Sequence, residues 1–363
     1  MKWGSLTLQE YLGDNKEKKV PNDYYYLPYI DTPFDIGFTF LIEQLHEGNG
    51  HLCESVDYVK YVMSEYQSNF PGMKKYALSS VIKIISDDNI AVKSEKKTDI
   101  RTAVANVRMC GNDIEDILDG KKANKSGRAK EIAELTNEAI KNKADVLVMP
   151  EAYVPLQYIS LLAKKSAKRQ MMTICGIEHI VANGNVWNLT CILIPFIVND
   201  VKYVIPFFRQ KKHFAPHEEN SIASRGLKIG PTTQNTLFKW GGYAFAAYCC
   251  YELTAVHDRA EFIGKAETIY AIEWNQDVNY YSNIMESLSR DMYCYCVQAN
   301  MSEYGDSRIV APAHSYCKDI MRVKGGENAT ILIGIVDIEK LRESKKNADK
   351  RKKNNYAALP AGI

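Results

Sequence analysis

ADVLVMPE, residues 144–151, decides how the rest of this 363-residue chain is read. Val146 to Met149 is apolar on both faces of an extended strand, as a strand buried inside a layered sheet requires. Pro150 has no N–H to give to a ladder, so the strand stops and Glu151 emerges at its carboxyl-terminal edge. A carboxyl half shielded there is expected to have its pKa raised toward neutrality, which suits a general base. A glutamate after a strand is more often a surface or capping residue, so the segment gains meaning only beside others of its kind.

Two more segments place a reactive group beside an apolar run. FFRQKKHF, residues 207–214, carries Lys211 after the strand-like YVIPFF. An ammonium in a dry cleft stabilises an oxyanion forming on an attacked carbonyl, a role that a hydrated lysine performs poorly. The plain alternative is a solvated basic loop containing Arg209, Lys211 and Lys212. FAAYCCYEL, residues 245–253, ends a strand at Cys250 and opens what reads as a helix. Backbone N–H groups and a positive helix end at such a turn are expected to favour the thiolate. Cysteine is also among the most buried residue types and packs as a small hydrophobe. Cys249, on the opposite face by strand alternation, is assigned that structural role.

The surrounding chain is α/β in pattern. TAVANVRM, MMTICGI, VWNLTCILIP, VKYVIPFF, YAFAAYCC, ETIYAIEW, YCYCVQAN and ATILIGIV read as strands. RAKEIAELTNEAIKNK places Ala129, Ile132, Ala133, Ala139 and Ile140 on one helical face, and helices are also expected at Leu156–Arg169, Thr254–Ile263 and Val278–Met292. Residues 1–97 read as a separate, mostly helical unit of unknown role. In it, 32–45 and 56–66 carry mixed helical spacing, HEGNGH and NFPGM break the pattern, LSSVIKIIS resumes it, and the charged 86–98 looks like a surface connection. Residues 98–340 form the α/β domain. Residues 341–363 are a basic tail. From Lys340 to Lys353 eight Lys or Arg face only Glu343 and Asp349, a composition typical of a solvated helix or mobile tail and less often of a nucleic-acid or protein contact.

Composition bounds the rest. With 46 basic and 44 acidic residues the net charge is +2, so no global charge argues for nucleic acid or a membrane surface. No stretch approaches the roughly 18 apolar residues of a membrane span, and the start lacks the apolar core of a signal peptide. Nine scattered cysteines without a small-domain disulfide pattern fit free thiols in a reducing cytoplasm.

Taken together, ADVLVMPE, KKHFAPHEE and CCYEL resemble the nitrilase superfamily, the carbon–nitrogen hydrolases with a Glu–Lys–Cys triad. The motifs stand in that family's order, 60 and 39 residues apart. Secondary matches are Glu273–Trp274, SRDMYCYCVQAN and GDSRIVAP, so the likeness spans about residues 100–337. It implies a four-layer α-β-β-α sandwich and a cysteine-dependent, amidase-like hydrolase acting on carbon–nitrogen bonds through a thioester. Cys250 would be the nucleophile, Glu151 the general base and Lys211 the oxyanion stabiliser. A supporting glutamate falls best on Glu219, with Glu218 as its rival, and Tyr251 and Trp274 border the substrate. The resemblance implies neither metal nor organic cofactor, a small amide as substrate, and at least a homodimer.

The departures are specific. Arg209–Gln210 replaces the family's Tyr-Arg, Phe214 its Leu, Glu252 its Asp, and Thr254 stands where an arginine is frequent, with Arg259 as a distant substitute. Tyr251 in place of Trp favours amides over nitriles. Family domains are found fused to NAD synthetases and to some prokaryotic reverse transcriptases, yet the sequence contains neither a Gly-rich ATP loop nor Tyr-x-Asp-Asp. Two rivals remain: an idle nitrilase-fold binding or regulatory module acting with a partner such as a nucleic-acid enzyme, and a Cys-His peptidase using His213 or His257. His257 lies about 10 Å along a helix axis from Cys250, too far for direct contact. Cys294 and Cys296, spaced for one strand face, read as packing rather than metal ligands.

Overall fold

The computed structural model describes residues 32–47, 55–69, 78–79, 81–86, 88–109, 112–121, 127–232 and 234–363, with the short pairs 6–7 and 25–26. Gly48 to His51 of HEGNGH and all but the first residue of NFPGM lie outside them. Two helices come first, α1 (Pro33–Glu47) and α2 (Ser55–Asn69). Next is a hairpin of β1 (Ile82–Ser86) and β2 (Asn89–Val92). Strands and helices then alternate: β3 (Asp99–Asn106), α3 (Asn112–Leu118), α4 (Arg128–Lys141), β4 (Val146–Val148), α5 (Ile159–Arg169) and β5 (Met172–Gly176). β6 (Leu189–Val198) and β7 (Val201–Gln210) form a long antiparallel ribbon that leads to α6 (Pro216–Ser224).

The second half begins with β8 (Leu237–Trp240) and β9 (Tyr243–Cys249). A 3-10 turn (Cys250–Thr254), α7 (Val256–Ala260), β10 (Thr268–Ile272), α8 (Val278–Asp291) and β11 (Tyr295–Ala299) come after it. β12 (Ser307–Val310), β13 (Asp319–Val323), β14 (Thr330–Asp337), α9 (Ile338–Lys346) and α10 (Ala348–Lys353) close the chain.

The strands make two large sheets, one ordered β7-β6-β5-β4-β3-β14 and the other β13-β12-β11-β10-β9-β8-β2-β1. Period-two alternation assigns each side chain to one of two cores. In the first sheet Val104, Val148, Ile174, Ile194 and Phe207 turn inward to the space between the sheets. There Phe207 meets Phe238 of the second sheet with ring centroids 4.9 Å apart, and the Trp240 indole donates to Pro195 O at 2.8 Å. Ala105, Leu147, Cys175, Leu193 and Phe208 turn outward beneath Ile132 and Leu135 of α4 and Leu162 of α5. Buried strands of this kind need no polar face, which is why VLV and TICG read as continuous apolar runs. On the far side Ile284, Met285 and Leu288 of α8 cover the second sheet. The result is the four-layer α-β-β-α sandwich.

Residues before 98 extend these layers. Phe38 of α1 packs on Phe208, continuing the outer helical layer over β7, while Tyr58 of α2 packs on Phe207 at the edge of the inter-sheet core. LSSVIKIIS, read as helical, instead supplies β1, and the charged 86–98, read as a connection, supplies β2. β2 pairs in parallel with β8 and so enlarges the second sheet. The β-branched Ile82, Ile84, Ile85, Ile90 and Val92 suit a pleated surface, and nine residues are too few for periodicity to separate helix from strand.

The basic tail also differs from the expectation. It is helical, but it docks: Leu341 is fully buried, Arg342 clasps Glu267 at 2.5 and 2.8 Å, and the Tyr356 hydroxyl bonds that of Tyr295. The expected helix 254–263 shrinks to α7, and on α4 the buried face is Ile132, Leu135, Thr136 and Ala139. Among the described residues, no helix is long and apolar enough to cross a membrane.

Ile90 is wholly buried in the added hairpin. Ile90→Ala is expected to destabilise the protein by about 2–5 kcal/mol, the range for truncating a core isoleucine, read as a lower denaturation midpoint. If the hairpin were an independent appendage, the main transition would not move.

Candidate active site

Three strand ends converge on one cleft. β4 stops at Val148, the Met149 N–H donates one last bond to Ile174 O at 2.9 Å, and the chain turns at Glu151, which is 2% exposed. Ala152 there has φ 56°. This turn lies directly on β5: a Cβ added to Gly176 would sit 2.4 Å from Glu151 Cα, so only glycine lets the two backbones pass. Lys211 follows β7, with its N–H bonded to Asn188 O at 2.9 Å and its side chain wholly buried. Cys250 follows β9 at φ 44°, opening the 3-10 turn.

The ammonium of Lys211 lies between two carboxylates. Nζ donates to Glu151 Oε1 at 2.8 Å and to both oxygens of Glu218 at 2.9 and 2.8 Å. Glu151 is fully engaged: Asn188 Nδ2 also donates to Oε1 at 2.7 Å, and the Trp274 N–H donates to Oε2 at 3.1 Å. The carbonyl of the same Trp274 lies 4.0 Å from Cys250 Sγ. One residue's backbone thus touches both carboxylate and thiol. Cys250, Tyr251, Glu218, Trp274, Tyr281 and His179 line a cleft of about 550 Å³.

Two electrostatic expectations are reversed. Burial does oppose the charge of Glu151, but the Lys211 ammonium and the Lys211 and Asn188 hydrogen bonds outweigh it and hold the carboxyl below its usual range. Burial pushes the Cys250 thiol well up, Glu151 adds to that, and Lys211 only partly opposes it, so the resting group is a thiol and not a thiolate. Burial disfavours the charge on Lys211 as well, yet Glu151 and Glu218 raise its pKa well above the ordinary value.

The glutamate that reaches Lys211 is Glu218, not the expected Glu219. Pro216 starts α6, and the third helical residue turns back to cap Ala215 N at 2.7 Å while reaching Lys211. Glu219, one step around the helix, is exposed. Sequence had no means to choose, since the two differ only by the helix's starting residue. It also missed Asn188 and Gly176, which lie in ordinary apolar contexts and become significant only by their distance to Glu151.

Two departures from the family pattern meet in space. Arg209 is buried and donates through both terminal nitrogens to Glu252, at 2.7 Å through Nη1. Glu252 also accepts from Lys212 N at 2.5 Å and Cys249 N at 2.6 Å. One carboxylate therefore ties the residue after Lys211 to the residue before Cys250, across the two sheets. The histidine alternatives are engaged or outward: His213 Nε2 bonds Asp258 at 2.7 Å, and His257 is fully exposed. Thr254, in the position of the expected arginine, bonds Tyr251 O at 2.8 Å. Cys249, Cys294 and Cys296 are all core residues.

No family profile and no curated protein sequence matches this chain. Solved structures do. One is a carbon–nitrogen hydrolase superfamily protein from Xanthomonas campestris, solved with an arsenic adduct in its active site. It superposes with a TM-score of 0.51 at 10% identity, covering 73% of this chain and 100% of that one. An amidase from Nesterenkonia sp. gives 0.48 at 14% identity over 70% of this chain and 95% of its own. A variant of that amidase in complex with acrylamide gives 0.48 at 14% over 72% and 99%. At such identity the likeness is one of fold, and the fold is nitrilase-like.

Arg209→Leu leaves Glu252 buried and unpaired, which costs about 3–5 kcal/mol. The double variant Arg209→Leu/Glu252→Leu should recover a large part of that loss, and a double-mutant cycle by chemical denaturation reads it. Additive losses would mean that the pair does not couple the two loops. Gly176→Ala should displace Glu151 and lower the melting temperature, although it adds a single methyl group.

Proposed function

We propose that the protein is a cysteine-dependent carbon–nitrogen hydrolase that cleaves a small amide. The observation that carries this reading is Lys211 held between Glu151 and Glu218, with the Trp274 backbone joining Glu151 to Cys250 at the base of the cleft. Such a group of carboxylate, ammonium and thiol has the parts that acyl transfer needs, and the fold is similar to that of a solved carbon–nitrogen hydrolase superfamily protein.

The chemistry follows from the charges. Glu151, ionised, takes the thiol proton as Cys250 Sγ attacks the amide carbonyl, and the oxyanion that forms faces the Lys211 ammonium. Glu151 then gives its proton to the departing amine, the carbon–nitrogen bond breaks, and a thioester remains on Cys250. Water loses a proton to Glu151, attacks the thioester, and Cys250 leaves as a thiol. Glu218 keeps Lys211 charged and directed. Tyr251, Trp274 and Tyr281 give the acyl group an aromatic wall. A side chain larger than a few carbons has room in about 550 Å³.

With a panel of primary amides, Cys250→Ala should abolish hydrolysis while leaving the melting temperature unchanged. Lys211→Met should lose at least about 10²-fold in kcat, the scale of losing one oxyanion donor. Glu151→Gln should slow deacylation and let a thioester accumulate, visible by intact-protein mass spectrometry. Because Glu151 titrates below the ordinary carboxylate range, kcat/KM should hold steady near neutrality and fall in acid as that carboxyl takes up a proton. Hydrolysis by Cys250→Ala at the wild-type rate would end this reading.

A further inference from the structure

Behind the nucleophile lies a second acid that the reaction above does not use. Glu273 is the first residue after β10, wholly buried, with its N–H bonded to Ala299 O at 2.8 Å. In the parallel pairing of β9 with β10, Cys249 is opposite Ile272, so Glu273 and Cys250 are the next residues on neighbouring strands. Glu273 Oε2 accepts from Gln298 Nε2 at 2.8 Å. Its Oε1 has no hydrogen-bond partner among the described residues. The nearest guanidinium, Arg308, stops one group short. Its Nε donates to Gln298 Oε1 at 3.3 Å, and its charge is met by Glu286 at 3.1 Å and Asp319 at 3.6 Å.

The groups facing Glu273 are Asn275 from the segment after β10, Glu151 from the β4 turn, Cys250 from the 3-10 turn, Tyr281 from α8, and Gln298 and Arg308 from β11 and β12. None is a free cation, and Lys211 is already shared by Glu151 and Glu218. A buried carboxylate faced only by neutral amides, those of Gln298 and Asn275, with no free cation in reach is costly, whereas the neutral acid is tolerated far better.

We propose that Glu273 is a positioning residue that works as a neutral acid, keeping the wall behind Cys250 uncharged, and that release of its proton to solvent restrains the nucleophile. The inference rests on the assignment of Cys250 as nucleophile. Burial pushes the Glu273 carboxyl up to about 8, against the opposing pull of the Gln298 and Asn275 amides, so the proton is present at neutrality and lost in mild alkali. Ionised, Glu273 sets another negative charge beside Cys250 and the forming oxyanion. The next residue, Trp274, carries the backbone groups that touch Glu151 and Cys250, so the same side chain anchors that segment.

The test needs no amide substrate. Alkylation of Cys250 by iodoacetamide is followed across pH by peptide mass spectrometry in the wild type, Glu273→Gln and, should that variant fold poorly, Glu273→Met. The wild type should show a break near the titration of Glu273. The variants should titrate in one step and react about tenfold faster on its alkaline side, the factor for one pK unit of relieved repulsion. Isotope-edited infrared spectra should contain a protonated-carboxyl band that disappears in the same pH range and is absent from Glu273→Gln. Identical alkylation profiles, or no such band, would overturn the proposal and leave the hydrolase reading standing. Failure to hydrolyse any amide, with these signatures intact, would do the reverse.

Discussion

A dehydrated ammonium is the constraint on which the site depends. Taking such an ion out of water costs at least several kcal/mol even after relaxation, and the cost is recovered only with close, well-aligned opposite charge. Lys211 has its charge met from two directions, by Glu151 from the β4 turn and by Glu218 from the first turn of α6, while its methylene stem and the Phe214 ring exclude water. Local features that look unrelated serve this arrangement. Pro150 ends a strand so that Glu151 turns in, Gly176 lacks a side chain so that the turn can sit on β5, and Pro216 starts α6 with Glu218 in its first turn.

The same geometry requires the two sheets to be held in register. Glu151 and Lys211 belong to one sheet and Cys250 to the other, so sliding between the sheets would separate the carboxylate from the thiol. The inter-sheet core resists this through volume and ring contacts, which are weakly directional. Glu252 adds direction, because its carboxylate accepts from Arg209, from Lys212 N and from Cys249 N. A bidentate guanidinium fixes an angle as well as a distance. That Arg209 and Glu252 each depart from the family pattern, and face one another, gives the two departures one physical account.

The sequence made the strand ends legible because burial on both faces writes itself as an unbroken apolar run, and a proline or charge then marks the exit. Glu151, Lys211 and Cys250 were found by that route, and the sandwich with them. The hairpin of β1 and β2 was not, since short β-branched segments have no decisive period and its partner β8 lies about 145 residues away in sequence. The choice of Glu218 over Glu219 turned on a helix start, which local sequence defines only to within a residue or two. The pKa directions of Glu151 and Cys250 were misread for one reason. A strand end in sequence looks half wet, whereas both groups are buried, and partners from distant segments decide the outcome.

Burial is the first reason that the thiol rests protonated, and the count of charges is the second. Glu151 and Glu218 contribute two negative charges and Lys211 one positive, so the cluster is already anionic before the sulfur is considered. A resting thiolate would add to that excess inside a poorly solvated cleft, and neither the helix end nor Lys211 offsets it. The site therefore gains nothing by forming the nucleophile in advance. In the proposed reaction, when a carbonyl carbon accepts the sulfur, negative charge moves away from sulfur onto an oxygen beside Lys211, and the thiol proton moves to Glu151 in the same event. The excess charge does not grow at any point along that path. A thiol held back in this way is a poor target for oxidants and adventitious electrophiles. On this reading, the carboxylates that make the cluster anionic make the cysteine selective as well as reactive: sulfur becomes a nucleophile only when an acyl group is in place to receive its charge.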